Sequence, residues 1–224
     1  MVWRVALATL ALAAGATAAD ARHSSTTLDP RRATPGVSLD LVEAARSATG
    51  DSVKYRLRVK GLPAGQAFGV WTKSFGRDFN EVATELRDDI ELDPGPYPRG
   101  AAWWVAIASA DQKTTAFARV VPYPIAARDG SCSISLELIS LYGNRFIALG
   151  AGFPPGEEVE IETRASGAVG KKRLRVPPDG RLPLDVVEHG TLSADTVARY
   201  MVKARACAPA VEYRWGDSAL TKEH

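Results

Sequence analysis

The chain reads as an all-β protein built from two tandem antiparallel β-sandwiches, and three observations carry that reading. First, a segment occurs twice. Gly61-Leu62-Pro63-Ala64-Gly65-Gln66-Ala67-Phe68-Gly69-Val70-Trp71-Thr72-Lys73 matches Gly152-Phe153-Pro154-Pro155-Gly156-Glu157-Glu158-Val159-Glu160-Ile161-Glu162-Thr163-Arg164, 91 positions downstream, about one small sandwich domain. The match continues to Gly76 against Gly167. Second, apolar and polar residues alternate with period two, the pattern of half-buried strands. Third, Gly/Pro turn signals separate about seven such stretches in each copy.

The elements follow in order. Met1-Val2-Trp3-Arg4 carries one positive charge, Val5 to Ala14 is apolar, and Ala16-Thr17-Ala18 offers small residues for cleavage. This is the layout of a secretory signal peptide over residues 1–19. It is too short for a membrane anchor, which needs about 20 apolar residues, and no later stretch approaches that length. No cysteine follows the cleavage region, as a lipid-anchored form would require. Residues 20–36 are rich in Ser, Thr, Arg and Pro without apolar periodicity, and are expected to be a flexible leader.

The first repeat spans residues 37–124. Val37, Leu39 and Leu41 share one face. Val53, Tyr55, Leu57 and Val59 then alternate with Lys54, Arg56, Arg58 and Lys60, the cleanest strand in the chain. Leu62-Pro63-Ala64-Gly65 turns it, and Phe68, Val70 and Thr72 follow on one face. Residues 75–100 read as irregular and acidic. Within them Val82, Leu86 and Ile90 recur at spacing four, which suits a turn or two of helix over Asn80 to Arg87, or a loop. A hairpin closes the repeat: Trp103 to Ser109, a turn at Asp111-Gln112, then Thr114 to Val121.

Residues 125–130 read as a short linker, preceded by Pro122 and Pro124, that restrains the two domains. The second repeat spans residues 131–217 and mirrors the first. Cys132, Ile134, Leu136 and Leu138 point inward; Val159, Ile161 and Thr163 alternate with Glu160, Glu162 and Arg164. Pro178-Asp179-Gly180 is a turn. Tyr200, Val202 and Ala204 face in, and Val211, Tyr213 and Trp215 close the sheet. Residues 218–224 are a tail.

Gly152-Phe153-Pro154-Pro155-Gly156-Glu157-Glu158-Val159, following a strand, resembles the second-strand signature of bacterial immunoglobulin-like surface domains. Gly61-Leu62-Pro63-Ala64-Gly65-Gln66 is a degraded copy of it. The resemblance implies two tandem immunoglobulin-like sandwiches and an exported adhesive, spacing or binding role. It implies no catalysis and brings no functional residues with it, since sandwiches host many activities. The same segments have a physical reading: glycine permits positive φ and proline blocks further pairing where the chain crosses between sheets.

Charge limits the partners. Removing Arg4 from 28 Lys+Arg leaves 27 against 26 Asp+Glu, which excludes a strong overall field for nucleic acid or anionic membrane. The two cysteines, Cys132 and Cys207, both lie in the second repeat. In an exported chain they read first as a disulfide, closing a loop worth about 4–5 kcal/mol in the chain-entropy model. Cys207 has outward parity, so the bond requires it to sit in the turn toward Pro209. Two separate buried thiols are the alternative.

Parity singles out one surface. Trp71 faces outward, where the second repeat has Glu162, an ordinary solvent-facing choice. Trp103 belongs inside and Trp104 outside. The third and sixth strands of an immunoglobulin-like sandwich are neighbours, so Trp71 and Trp104 would form an apolar platform suited to sugar rings or a partner chain. The opposing expectation is that residues 75–100 or the other domain bury this face. A second candidate is acidic: Asp89, Glu91 and Asp93 share a parity and could hold calcium, although their spacing matches no calcium loop and edge charges also protect a sheet. A third is basic: Lys171-Lys172-Arg173-Leu174-Arg175 could touch an acidic polymer or phosphate head group, and an outer sheet face explains it equally well. No nucleophile elbow, phosphate loop or metal-ligand spacing is present, and no cofactor is implied.

Three functions follow from the sequence. The first is a non-catalytic exported binding, adhesive or spacer protein, periplasmic or secreted, contacting other envelope or extracellular proteins. The second is a carbohydrate-binding module using Trp71 and Trp104. The third is a hydrolase with a carboxylate pair that only the fold would bring together.

Overall fold

The computed structural model describes residues 28–190 and 196–221; the expected signal peptide (residues 1–19) lies outside them. The described residues form fifteen strands in four antiparallel sheets. The first sandwich comprises β1 (Ser38–Arg46), β2 (Val53–Lys60), β3 (Phe68–Lys73), β4 (Phe79–Ala83), β5 (Glu91–Leu92), β6 (Trp103–Ser109) and β7 (Thr115–Val120). The second comprises β8 (Ile125–Asp129), β9 (Cys132–Leu138), β10 (Arg145–Ala151), β11 (Glu158–Ala165), β12 (Ala168–Arg175), β13 (Leu182–Glu188), β14 (Thr196–Lys203) and β15 (Ala210–Trp215).

Strand order shows the duplication directly. In the first sandwich β1-β2-β5 faces β4-β3-β6-β7; in the second β9, β10 and β13 stand in the order β13-β10-β9 and face β12-β11-β14-β15. This is the strand order of immunoglobulin-like and fibronectin-like sandwiches. The repeated glycines do the same work in both copies. Gly61 and Gly152 both have φ of 77°, and a Cβ on either would sit 2.0 Å from a backbone oxygen, of Gly36 and of Ser131 respectively. No L-residue tolerates both conditions, so this crossover requires glycine twice.

Three elements differ from the sequence reading. Residues 125–129 are not a linker but strand β8, which pairs with β9 through Ile125↔Leu136 and adds an edge to the second sandwich. The reason is a tight return at Gly130 (φ 56°), which folds the segment back on β9 and buries Ile125. Residues 79–83 form strand β4 rather than helix or loop, because β3 offers a partner edge through Lys73↔Phe79 and Trp71↔Glu81. The tail expectation gives way at Asp217–Leu220, a single helical turn α1 that buries Ser218 and Ala219.

Alternation fills the cores. Val53, Tyr55, Val70, Trp103, Val105 and Ile107 are buried in the first sandwich, with the Tyr55 and Trp103 rings 5.9 Å apart. Ile134, Leu136, Phe146, Val159, Ile161 and Val202 fill the second. A disulfide joins Cys132 on β9 to Cys207 in the turn between β14 and β15, with Cα atoms 6.3 Å apart, so it staples one sheet to the other. The lapse of strand parity in that turn, where Ala204 N–H donates to the Cys207 carbonyl, is what brings Cys207 inward.

The sandwiches meet through backbone. Ala101 bridges Leu138 in parallel, Leu138 N–H donates to the Gly100 carbonyl at 3.0 Å, and Gly100 N–H donates to the Tyr123 carbonyl at 2.7 Å. Gly100 has φ of 76°, and a Cβ there would lie 3.1 Å from the Leu136 carbonyl oxygen. Arg119 of the first sandwich pairs with Glu137 of the second.

Candidate functional site

The outer face of β4-β3-β6-β7 holds both candidate tryptophans. Register places Trp71 opposite Ala106 and Lys73 opposite Trp104, so the two indoles share one face, as parity predicts. Trp103 is 2% exposed and lies inside. Trp71 is nevertheless only 6% exposed. The cover comes from two sides: Phe79, within residues 75–100, as that expectation had it, and Leu28 of the leader, which the sequence reading did not foresee. Leu28, itself buried, packs with Trp71, Phe79, Ala106 and Ala108, while Trp104 and Phe117 pack at the margin.

Of the flexible leader expected over residues 20–36, residues 20–27 lie outside the described ones, and residues 28–36 form a docked strap. Asp29 caps a short turn at Pro30–Arg32 by accepting from Arg31 N–H at 3.0 Å. Thr34 N–H donates to the Thr115 carbonyl at 2.8 Å, Thr115 N–H donates to Thr34 Oγ1 at 2.9 Å, and Thr115 Oγ1 donates to the Arg32 carbonyl at 3.0 Å. Two cations border the aromatic patch: Lys73 Nζ lies 5.7 Å from the Phe79 ring centre and the Arg119 guanidinium 5.8 Å from that of Trp104. Gly69 leaves room beneath: a Cβ there would sit 3.3 Å from Trp71 Nε1 and 2.8 Å from Glu81 Oε1.

The acidic candidates are not brought together. Glu91 Oε1 accepts from Arg56 Nε at 3.0 Å and Nη2 at 2.7 Å, and Asp93 Oδ1 accepts from Gly95 N–H at 2.7 Å. Asp89 sits in an exposed turn before β5. No group of three or more His, Cys, Asp or Glu side chains among the described residues is arranged to hold a metal. Glu91 on edge strand β5 fits the other role, a charge guarding a sheet edge.

The corresponding outer face of the second sandwich carries Lys171, Arg173 and Arg175 of the basic candidate, and on it lies a buried carboxylate that the sequence reading placed in solvent. Glu162 occupies the place of Trp71, yet its side chain is only 1% exposed. Three cations cover it: Arg164 Nε donates to Oε1, and Lys171 and Lys203 Nζ each lie 3.3 Å from Oε2. Led by the Arg164 hydrogen bond, they hold its carboxyl down at about 2. Cross-strand register assembles this cluster from β11, β12 and β14, and no local pattern announces it.

A second polar group lies between the sheets of the same sandwich. Tyr200 Oη donates to Asp185 Oδ2 at 3.0 Å, and Lys172 pairs with Asp185 Oδ1. His189 Nε2 and Tyr213 Oη are 2.7 Å apart, with the His189 ring stacked 4.8 Å from Trp215. Burial pushes the Tyr200 and Tyr213 phenols up and the His189 imidazole down, so all three stay neutral near pH 7. Asp185 thus faces a lysine and a phenol rather than a second carboxylate.

No family model and no curated protein matches the chain. Among solved structures, it is similar to a tetra-tandem repeat from the extending region of a large adhesion protein (13% identity, TM-score 0.28, 80% of this chain and 49% of that one). It is also similar to the FN1-FN3 domains of chicken CNTN1 (15%, TM-score 0.26, 81% and 68%). A third likeness is to a 1.5-MDa bacterial ice-binding adhesin (12%, TM-score 0.26, 80% and 63%). At TM-scores this low none of these likenesses carries an argument, and the fold assignment rests on the strand order itself.

Proposed function

We propose that this chain is a non-catalytic, exported two-domain protein of the cell envelope that acts as a spacer, presenting its sheet faces to other proteins. The observation that carries this reading is the joint. A flexible tether would leave Gly100, Ala101, Tyr123 and Leu138 to solvent, whereas here they exchange backbone hydrogen bonds and Gly100 supports an approach that a side chain would block. The Cys132–Cys207 disulfide supports export, because such bonds persist in oxidising compartments. The carbohydrate reading that used Trp71 and Trp104 as an open platform is set aside, since Trp71 is buried in a cluster with Leu28 and Phe79.

Nuclear spin relaxation and small-angle X-ray scattering of the mature protein test the reading. A stiff spacer gives one rotational correlation time for both sandwiches and a scattering curve fitted by a single conformation. Independent tumbling of the two halves would remove the basis for a spacer.

A further inference from the structure

The outer face of the β12-β11-β14-β15 sheet carries a charge arrangement that the fold does not require. Its β12 row presents Lys171, Arg173 and Arg175, its β14 row Arg199 and Lys203, and its β15 edge Arg214. Arg164 on β11 stands directly opposite Arg199. A like-charge cross-strand pair is destabilising by itself; here Glu162 holds Arg164 on one side and Glu212 stands opposite Arg199 on the other. Glu158, Glu160, Glu162 and Glu212 share the face, and seven cations exceed these four carboxylates. The structurally equivalent face of the first sandwich is aromatic and strapped, which shows that the scaffold accepts a quite different surface.

The geometry is that of a receiving surface. A depression of about 380 Å³ opens around Arg164, Val169, Val197, Arg199 and Glu212. Val169 and Val197 are 53% and 59% exposed there. Exposed valines offer an apolar seat for a ring, and two guanidiniums offer paired donors for a carboxylate, sulfate or phosphate. Arg199 and Arg214 have no ion-pair partner shown among the described residues. Beyond the depression, Lys171, Arg173 and Arg175 recur every second residue, roughly 7 Å apart along β12. Glu162 sits beneath Lys171, Lys203 and Arg164 and holds their heads over the sheet.

We propose that this face binds an acidic polysaccharide, with ring-borne anionic groups on Arg164 and Arg199 and the chain running along the β12 cations. The sugar ring is favoured over a lipid surface because the arginines are combined with a depression floored in part by valine. The proposal goes beyond the spacer reading and does not depend on it, since glycan binding and joint stiffness are read by separate measurements.

The test is binding of the mature protein to dextran sulfate and to polygalacturonate at about 50 mM and about 200 mM salt. Neutral dextran, poly-glutamate and phosphatidylglycerol-containing vesicles serve as comparators. Both charged glycans are expected to bind, neutral dextran not, with affinity falling as salt rises. The double variant Arg199→Gln/Arg214→Gln, which touches no group on Glu162, is expected to weaken binding about tenfold or more with its unfolding midpoint unchanged. Lys54→Gln/Lys60→Gln removes the same charge from the first sandwich and is expected to leave binding as it was. Equal weakening by both variants would reduce the effect to bulk charge and overturn the proposal. So would failure of both glycans to bind at the lower salt, or binding of poly-glutamate or vesicles in their place.

Discussion

Replacing Leu28 by Ala separates a docked strap from a passive leader. Leu28 is 8% exposed and closes the aromatic patch over Trp71 and Phe79. Truncation removes three buried carbons, at about 0.8 kcal/mol each, or about 2.4 kcal/mol. A surface strap can settle into the gap, so the cavity penalty of a deep core is not added, and about 2 kcal/mol is expected. What remains to hold residues 28–36 includes the three hydrogen bonds among Thr34, Thr115 and Arg32 and the one that Thr34 Oγ1 donates to the Lys113 carbonyl at 3.3 Å, at about 1 kcal/mol each. The strap should therefore open locally while the sandwich stays folded. Amide hydrogen exchange reads this directly: Thr34 and Thr115 N–H exchange about 30-fold faster in Leu28→Ala, which is the same 2 kcal/mol expressed as a rate. Amides of β3 and β6 in the core keep their rates, and acrylamide quenches more tryptophan emission. Unchanged Thr34 and Thr115 exchange alongside a lower global unfolding midpoint would refute the reasoning, because Leu28 would then belong to the cooperative core.

Other consequences are open to measurement. Cys132→Ser/Cys207→Ser opens a loop of 75 positions and is expected to cost about 4.5 kcal/mol in the chain-entropy model, read by denaturant unfolding with and without reductant. Gly61→Ala and Gly152→Ala are each expected to cost about 3 kcal/mol or more, since both combine positive φ with a backbone oxygen 2.0 Å from the new Cβ; a large cost at one site and none at the other would break the structural equivalence of the repeats. Glu162 has its folded pKa depressed to about 2 from 4.5, so its contribution is fully present above pH 4.5 and is lost as pH falls toward 2. Glu162→Gln should flatten the fall in thermal midpoint over that window, and an unchanged pH profile would show that the three cations do not act through this carboxylate. His189 is depressed by burial, so it too contributes stability above its unfolded value of 6.5 that is lost as pH drops below it; His189→Phe should remove that step.

Much of this protein was legible in its sequence because its information there is local. Period-two alternation at Val53 to Lys60 places side chains on two faces whatever the surroundings, and the paired glycines at 61 and 152 mark turns that no other residue can make. The same parity put Trp103 inside and brought Trp71 and Trp104 to one outer face, whereas the Cys132–Cys207 pair was read from the presence of two cysteines in an exported chain and against the outward parity of Cys207. Parity assigns a side chain to a face but not that face to solvent. Whether Trp71 is covered depends on Leu28, more than forty residues away, and on hydrogen bonds between Thr34 and Thr115 that only the assembled sheet supplies. Strand β8 depended on a neighbour's edge at β9, and the burial of Glu162 depended on register across three strands. Backbone conformation and facing direction are decided within a few residues, so the sequence determines them; exposure, edge pairing and charge clustering are sums over distant partners, so only the tertiary structure decides them.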